Sequence, residues 1–386
     1  VGDPTPKHRY AADLEALRRA SRWRFLRAWE GAGGVFSHGG RTWLNFSSND
    51  YLNLSRDPAL PDAVAAVMAE QGCGATASRL MAGNLTIHEE LEAALADMAG
   101  QDCALVFPSG YQANVGVLTS LAGPEDAIFS DALNHASIID GARLSRAQVY
   151  VYRHNDMEHL EGLLAQAPKR GHRIVVTDAV FSMDGDRAPL AALANLASRH
   201  DAVLVVDEAH AVGIWGGGGG LCQHLGIRPD VLIGTLGKAL GSGGGFVAAD
   251  LCFRDLFINR ARSFIYSTGV SPMNAAAALA AIGLIGARGD LGPDLLGRAD
   301  RFRELLRERR LPVTAGDTQI IPIMVGDDAR VIALADKLLD AGLIATGIRP
   351  PTVPEGTSRL RLSVTLAHDD SALTQAADML ARVFAG

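Results

Sequence analysis

The period of hydrophobic and polar positions alternates between helix-like and strand-like from about residue 60 to residue 250. Apolar positions recurring every three to four residues predict helices over Pro61–Gln71, His88–Ala99, Tyr111–Leu121 and Leu190–His200. Short β-rich runs fall among them, at Ala104–Phe107, Ala127–Ser130, Val149–Tyr152, Arg173–Thr177, Val203–Val206, Val231–Ile233 and Gly245–Ala248. Strands alternating with helices predict an α/β fold with a mainly parallel seven-stranded sheet covered on both faces. Such a sheet takes its ligands beyond the carboxyl ends of its strands. Asp178, Asp207 and the segment Thr235–Lys238 each follow a strand-like run, so one shared crevice is expected there.

The flanks read differently. A helix is expected over Ala11–Glu30, then a Gly-rich turn and a short strand around Trp43–Phe46. After a long apolar helix near Pro272–Ala287 come a charged helix over 295–310 and a strand at Ile320–Val325. A helix at Arg330–Ala341, a strand at Arg359–Thr365 and a closing helix at Ser371–Phe384 follow. The expected division is an N-terminal segment (1–55), a large domain (56–290) and a small C-terminal α+β domain (291–386). Apart from Gly216–Gly220, no repeat or low-complexity linker occurs.

Composition narrows the classes. Of 386 residues, 48 % are hydrophobic and 20 % charged, which suits a large packed core and argues against disorder. The net charge of −7, with scattered basic residues, argues against nucleic acid as the partner. No apolar run reaches the roughly 18 residues of a membrane span; the longest, near Ala275–Ala287, is interrupted by two glycines. Val1-Gly2-Asp3-Pro4 has no basic-then-apolar signal pattern. The four cysteines (Cys73, Cys103, Cys222, Cys252) form neither a C-x-x-C pair nor a zinc spacing. A reduced, cytoplasmic protein without a metal site is expected.

Two segments about thirty residues apart carry the chemistry. Val203-Leu204-Val205-Val206-Asp207-Glu208-Ala209-His210 sets a carboxylate and an imidazole where a buried strand runs out. Gly234-Thr235-Leu236-Gly237-Lys238-Ala239-Leu240-Gly241 sets one amine in a tight turn, and Lys238 is the only lysine between Lys169 and Lys337. An amine that forms a Schiff base and an acid that pairs with a pyridinium nitrogen are what pyridoxal phosphate (PLP) requires. An amine crowded by apolar groups and a cationic ring has a lowered pKa, which makes it a nucleophile and then a base. Each part has a blander reading: a solvated loop for Lys238, a strand-end cap for Asp207. Asp-Glu-Ala-His also matches a nucleotidase box, but that needs G-x-x-x-x-G-K-[ST]. Here Ala239 follows Gly237-Lys238, and position 232 is Leu. No G-x-G-x-x-G occurs either.

Other segments gain weight by position. Phe107-Pro108-Ser109-Gly110-Tyr111 reads as a strand, a turn and a helix start, whose free N–H groups suit a phosphate. Tyr111 could flank the cofactor, His135 could stack on its ring, His210 could reach its phenolic oxygen, and Ser182 could hydrogen-bond it. Arg359 and Arg361 alternate onto one face of a strand, where a guanidinium would match a carboxylate. A solvated strand face is the plain alternative.

Taken together, Asn134-His135-Ala136-Ser137, Phe181-Ser182-Met183-Asp184-Gly185-Asp186, Val206-Asp207-Glu208-Ala209-His210 and Leu236-Gly237-Lys238-Ala239 resemble the α-oxoamine synthases, which are fold-type I PLP-dependent transferases. The resemblance covers nearly the whole chain. It implies a homodimer with active sites at the subunit interface. It also implies Lys238 as the Schiff-base lysine, Asp207 as the pyridinium partner, His210 at the phenolic oxygen and His135 on the ring. Gly110, Tyr111, Ser182 and Thr235 would complete the cofactor shell, and Ser267 and Thr268 would bind phosphate in the neighbouring subunit. Asn49 and Arg361 would hold the amino-acid carboxylate. Thr352 and an N-terminal arginine, Arg24 with Arg22 nearby, would touch the acyl substrate. Two departures stand out: Leu52-Asn53-Leu54 where the family usually has Leu-Gly-Leu, and the glycine-rich run Gly216–Gly220.

The implied reaction is a decarboxylative Claisen condensation of an amino acid with an acyl thioester. Asn45–Leu52 and Ile348–Pro354 look most like the biotin-pathway member, which joins L-alanine to a pimeloyl thioester. Ser78 stands where glycine-specific members tend to carry threonine, which favours L-alanine; one methylene decides only ~1–3 kcal/mol. Pimeloyl-CoA and a pimeloyl carrier protein are not separated. The competing enzymes use glycine with acetyl-CoA, glycine with succinyl-CoA, or serine with a long acyl-CoA. A PLP-binding module without turnover is the alternative from another class.

Overall fold

The computed structural model describes residues 6–168 and 170–385. Packing divides the chain into two compact units: residues 49–297, and residues up to 48 joined to those from 298 onward.

The larger unit is built on a seven-stranded sheet. Its strands are β1 (Cys103–Phe107), β2 (Ala127–Asp131), β3 (Gln148–Tyr152), β4 (Arg173–Asp178), β5 (Val203–Asp207), β6 (Val231–Thr235) and β7 (Gly245–Ala249). Their order across the sheet is β1-β7-β6-β5-β4-β2-β3. All neighbours run parallel except β7, which is antiparallel to both β1 and β6. Strands β1, β2, β4 and β7 are buried at every position; β1 and β7 are apolar throughout, whereas β2 and β4 end in a buried aspartate. The helix Gly110–Leu121 lays Ala113, Val117, Leu118 and Leu121 on a core that includes Ile128, Ile174, Val205 and Val247. Gly234 faces Phe246 across the β6–β7 pair, and a Cβ there would run into the phenyl ring.

In the smaller unit, strand Arg41–Asn45 pairs antiparallel with Val35–His38 and parallel with Leu343–Ile344. That long-range pair ties the N-terminal stretch to the C-terminal part. Packing therefore breaks at 48 and 297, where periodicity put boundaries at 55 and 290. A second sheet has the order Ile320–Gly326, Ser358–Ser363, Thr346–Ile348. His368 stacks on Phe46 at 4.0 Å and meets Asn45 O at 3.0 Å; burial presses its pKa down to about 4, so it is neutral.

The helix expected over Ala11–Glu30 spans Pro6–Arg19. Ser21 takes a left-handed φ of 55°, and the stretch beyond it is not helical. Trp29 there packs on Trp43 (5.3 Å) and Phe36 (6.0 Å). Trp23, Phe25 and Trp29 fall on alternate positions, a period of two that fits extended chain. Among the described residues no single helix is long and apolar enough to cross a membrane.

Candidate active site

Strand ends of the larger unit bring the predicted chemistry together. A cavity of about 210 Å³ is lined by Gly110, Tyr111, His135, Asp207, His210, Thr235 and Lys238, together with Asn114, Ser137, Asp178 and Ala209.

Asp207 closes β5 and is buried. Its carboxylate accepts from Asn114 Nδ2 at 2.6 Å and from Ala209 N at 2.9 Å. Asp178 closes β4 directly opposite in register and accepts from His135 N at 2.7 Å. Burial, and then the neighbouring Asp207, push Asp178 well above the usual carboxylate range. Asn114 also donates to Ser137 Oγ at 3.0 Å, while its own Oδ1 is buried without a partner.

Lys238 sits in the connection between β6 and β7. That loop is drawn tight by Leu236 N to Gly244 O (3.0 Å), Ser242 N to Leu236 O (2.9 Å) and Thr235 Oγ1 to Gly244 O (3.0 Å). Gly241 at φ +60° packs so closely on Leu54 and Ser55 that a Cβ would displace their backbone. The Lys238 amine lies 2.9 Å from His210 Nε2. His210 Nδ1 lies 2.7 Å from Tyr51 Oη, which is 3.1 Å from Asn49 Oδ1. Asn49 thereby joins the lysine through two side chains.

The helix that begins at Gly110 is capped by Ser109, whose Oγ accepts from Gln112 N at 3.2 Å. Its first turn opens on the cavity. Tyr111 lines the rim, and its hydroxyl donates to Asp140 at 2.5 Å. Gln112 Nε2 donates to Ser267 Oγ at 3.0 Å. Thr268 bridges to Ser78. Ser78 belongs to a loop in which Thr76 takes φ +58°, an outlier for a β-branched residue. Arg79 pins that loop with a two-pronged bond to Glu92 (2.8 and 3.0 Å) and a bond to Asn84 (2.6 Å).

Ser182 lies outside the cavity lining, in the turn after β4. That turn is fastened by His154. Its Nδ1 is 2.9 Å from Asp131 and its Nε2 is 2.8 Å from Asp186, while its ring stands edge-on to Phe181 at 4.4 Å. The two carboxylates outweigh desolvation and push the imidazole pKa up to about 10.

Arg24, Thr352 and Arg361 belong to the smaller unit. Arg361 and Arg359 are buried, so the solvated-face reading fails; Arg361 donates to Ser363 Oγ at 2.8 Å. Arg22 is engaged by Glu355 (2.5 Å) and Asp328 (3.6 Å). Arg349 donates to Trp23 O at 2.5 Å and keeps a buried Nε without a partner. Desolvation, and then Arg24, press its pKa down.

Both departures have a structural account. Asn53 adopts the left-handed conformation (φ 54°, ψ 30°) that glycine would take, and asparagine tolerates it best among the other residues. Gly216, Gly217, Gly218 and Gly220 all have positive φ. A Cβ at Gly220 would lie 2.8 Å from the carboxylate of Glu208, which is fully buried and accepts from Leu221 N (2.9 Å) and Cys222 N (2.6 Å).

Sequence reasoning assigned no role to Asn114, Ser137, Asp178 or Tyr51. Asn114 could have been found, since it lies one helical turn after Gly110 on the same face. The donor set fits PLP: a lysine amine, a buried carboxylate for a ring N–H, free amides at a helix start and an orphaned amide oxygen. Among the described residues no group of three His, Cys, Asp or Glu side chains could hold a metal.

Comparison with known proteins bears on this site. The family described as aminotransferase class I and II matches residues 41–380. An 8-amino-7-oxononanoate synthase from Anaeromyxobacter dehalogenans is 47 % identical over 362 residues, covering 93 % of this chain and 91 % of that protein. A serine palmitoyltransferase from S. paucimobilis, solved with a PLP–myriocin adduct, superposes with a TM-score of 0.92 at 28 % identity over 99 % of this chain and 98 % of that one. An 8-amino-7-oxononanoate synthase from Francisella tularensis gives 0.76 at 27 % identity, over 89 % and 98 %.

Proposed function

Because the chain belongs to the aminotransferase class I and II family and is a PLP-dependent acyltransferase of the 8-amino-7-oxononanoate synthase type, we propose that it condenses L-alanine with a pimeloyl thioester in biotin biosynthesis. The products are 8-amino-7-oxononanoate, carbon dioxide and the free thiol of CoA or a carrier protein. The observation that carries this reading is the Lys238 amine held 2.9 Å from His210 in a cavity that also contains the buried Asp207 carboxylate.

Bound PLP supplies an aldehyde for the amino group and a protonated ring that draws electrons from Cα. The residues do the rest. Asp207, oriented by Asn114 and Ala209 N, holds the proton on the ring nitrogen. Lys238 takes the Cα proton and returns one. His210 holds the phenolic oxygen and His135 covers the ring. The amides at Gly110 and Tyr111 receive the phosphate, with Thr235 and Ser182 completing the shell. Ser267 and Thr268 serve the site of a second copy in a homodimer. Asn49 and Arg361 hold the alanine carboxylate.

Substrate choice has to come from side chains, because the serine palmitoyltransferase superposes at 0.92 while its name carries another amino acid and acyl chain. Ser78 leaves room for the alanine methyl. Thr352 and Arg24 receive the acyl chain. Arg24 is favoured over Arg22, which is tied to Glu355 and Asp328. Burial and the neighbouring Arg24 weigh on the Arg349 cation more than Asp328 relieves it, and the far carboxylate of a pimeloyl chain would balance that pair of arginines.

The test is release of free thiol by PLP-loaded protein, crossing L-alanine, glycine and L-serine with pimeloyl-, succinyl-, acetyl- and palmitoyl-CoA. Release confined to alanine with pimeloyl-CoA is expected. Release with glycine and a short acyl chain, or with serine and palmitoyl-CoA, would keep the mechanism and overturn the substrate pair.

A further inference from the structure

Gln112 has no part in the reaction as described, yet it links two parts of the chain assigned to phosphate. It lies in the first turn of the helix that begins at Gly110, and Gly110 and Tyr111 line the cavity of its own subunit. Its side chain reaches the segment that carries Ser267 and Thr268. Nε2 donates to Ser267 Oγ at 3.0 Å, and the Gln112 carbonyl accepts from Ser263 Oγ at 2.6 Å. The turn that receives one phosphate is thus tied to the hydroxyl that serves the other.

The direction of these bonds follows from donor counting. Ser109 Oγ accepts from Gln112 N at 3.2 Å and donates to Gln112 Oε1 at 3.3 Å. With its oxygen held by the capping serine, the Gln112 amide turns its NH2 group toward Ser267. A hydroxyl has one proton and two lone pairs. Gln112 fills a lone pair of Ser267 and leaves the O–H to be donated outward, which is what a phosphate dianion accepts. Were the amide reversed, Oε1 would take the Ser267 proton, and the serine would turn lone pairs toward the anion.

We propose that Gln112 is a positioning residue for the neighbouring subunit's site: it holds Ser267 with its proton directed at the PLP phosphate of the second copy. The inference rests on the reading that Ser267 serves that phosphate in a homodimer. Gln112 touches no cofactor there; it acts through Ser267. In its own subunit the helix cap is made by the Gln112 backbone N–H, which any side chain other than proline retains. The side chain therefore matters across the interface rather than at home.

Mixed dimers of two differently tagged chains tell the two sites apart. One chain carries Lys238→Ala, so the absorbance of PLP joined to lysine reports only the chain that keeps Lys238. Gln112→Met is then placed on one chain or the other. On the Lys238→Ala chain it should weaken PLP binding at the reporting site about five- to tenfold; on the reporting chain it should change it by less than about twofold. Equal loss from both placements, loss only from the reporting chain, or no loss at all overturns the proposal. Gln112→Glu on the Lys238→Ala chain tests the direction of the bond. A carboxylate of nearly the same shape would take the Ser267 proton, so binding should weaken further than with Gln112→Met. Wild-type affinity in that variant would show that the position needs only a polar group, and the idea would fail. Ser267→Ala in the same two placements reads the premise separately. If it weakens binding only from the Lys238→Ala chain, the premise stands, and an inert Gln112→Met then sinks the proposal alone. An inert Ser267→Ala, an effect confined to its own subunit, or chains that do not pair would remove premise and proposal together. PLP binding consumes no acyl thioester, so these results stand apart from the thiol-release test.

Discussion

His154 and His210, both in the larger unit, have partners on each ring nitrogen, and the partners make them opposite devices. His154 lies between the carboxylates of Asp131 and Asp186. Carboxylates only accept, so both ring nitrogens must donate, and the imidazole carries its charge up to about pH 10. It is a fastener. His210 lies between a phenol and an amine, each able to donate or accept. Its proton pattern is set by the direction of those bonds, which suits a ring beside a proton-exchanging lysine. The same side chain becomes a clamp or a participant according to whether its neighbours are charged.

The contrast is broken most decisively at its reactive end. Lys238→Ala should bring thiol release to background while leaving the urea midpoint near that of the wild type. Multiple turnover in this variant would put the exchanged proton elsewhere and leave His210 without its role. Asp207→Asn keeps the shape and removes the charge. Turnover should fall on the order of 10²–10³-fold and PLP should bind more weakly by absorbance titration; near-normal rates would contradict a ring-nitrogen partner.

The clamp should fail in a different currency. His154→Gln should lower stability by about 2 kcal/mol in urea titration, since it leaves the buried Asp131 with only the amides of Leu133 and Asn155 and no cation, while Asp186 stays partly solvated. The sign of its pH dependence follows from a folded-state pKa raised from 6.5 to about 10. The His154 contribution is complete below about pH 6.5 and is lost as pH rises through about 10. Wild-type protein should therefore lose stability across that window faster than His154→Gln; parallel curves would show that the ring is not held charged. Asp186→Asn is the mildest break, under about 1 kcal/mol, because that carboxylate side chain is 37 % exposed.

How far the sequence reached follows the same physical line. Asp207, His210 and Lys238 were legible because a strand end and a glycine-bracketed loop advertise them locally. Tyr51 was not, since its partner is 159 positions away and nothing near it marks a phenol as functional. Asp178 was seen as a strand-end acid, but its pairing with Asp207 depends on sheet register. The alternating sheet was readable from period alone, whereas the joining of Arg41–Asn45 to Leu343–Ile344 was not, because two residues of parallel strand leave no pattern. Arg22 and Arg24 are equivalent in sequence; only the ion pairs to Glu355 and Asp328 separate them. Asn53 reads as a departure yet keeps the left-handed turn.

The glycine corner at 216–220 is a cast of its surroundings. Side chains at 218, 219 and 220 would meet Ile285, Met98 with Gln223, and Glu208 respectively. A saturation library of this chain should therefore rank these positions among its least forgiving. None of them lines the cavity that holds Lys238. A tolerance map taken as a guide to chemistry would point to this corner as firmly as to the lysine, and it would be reporting a mould set by Ile285, Met98, Gln223 and the buried Glu208.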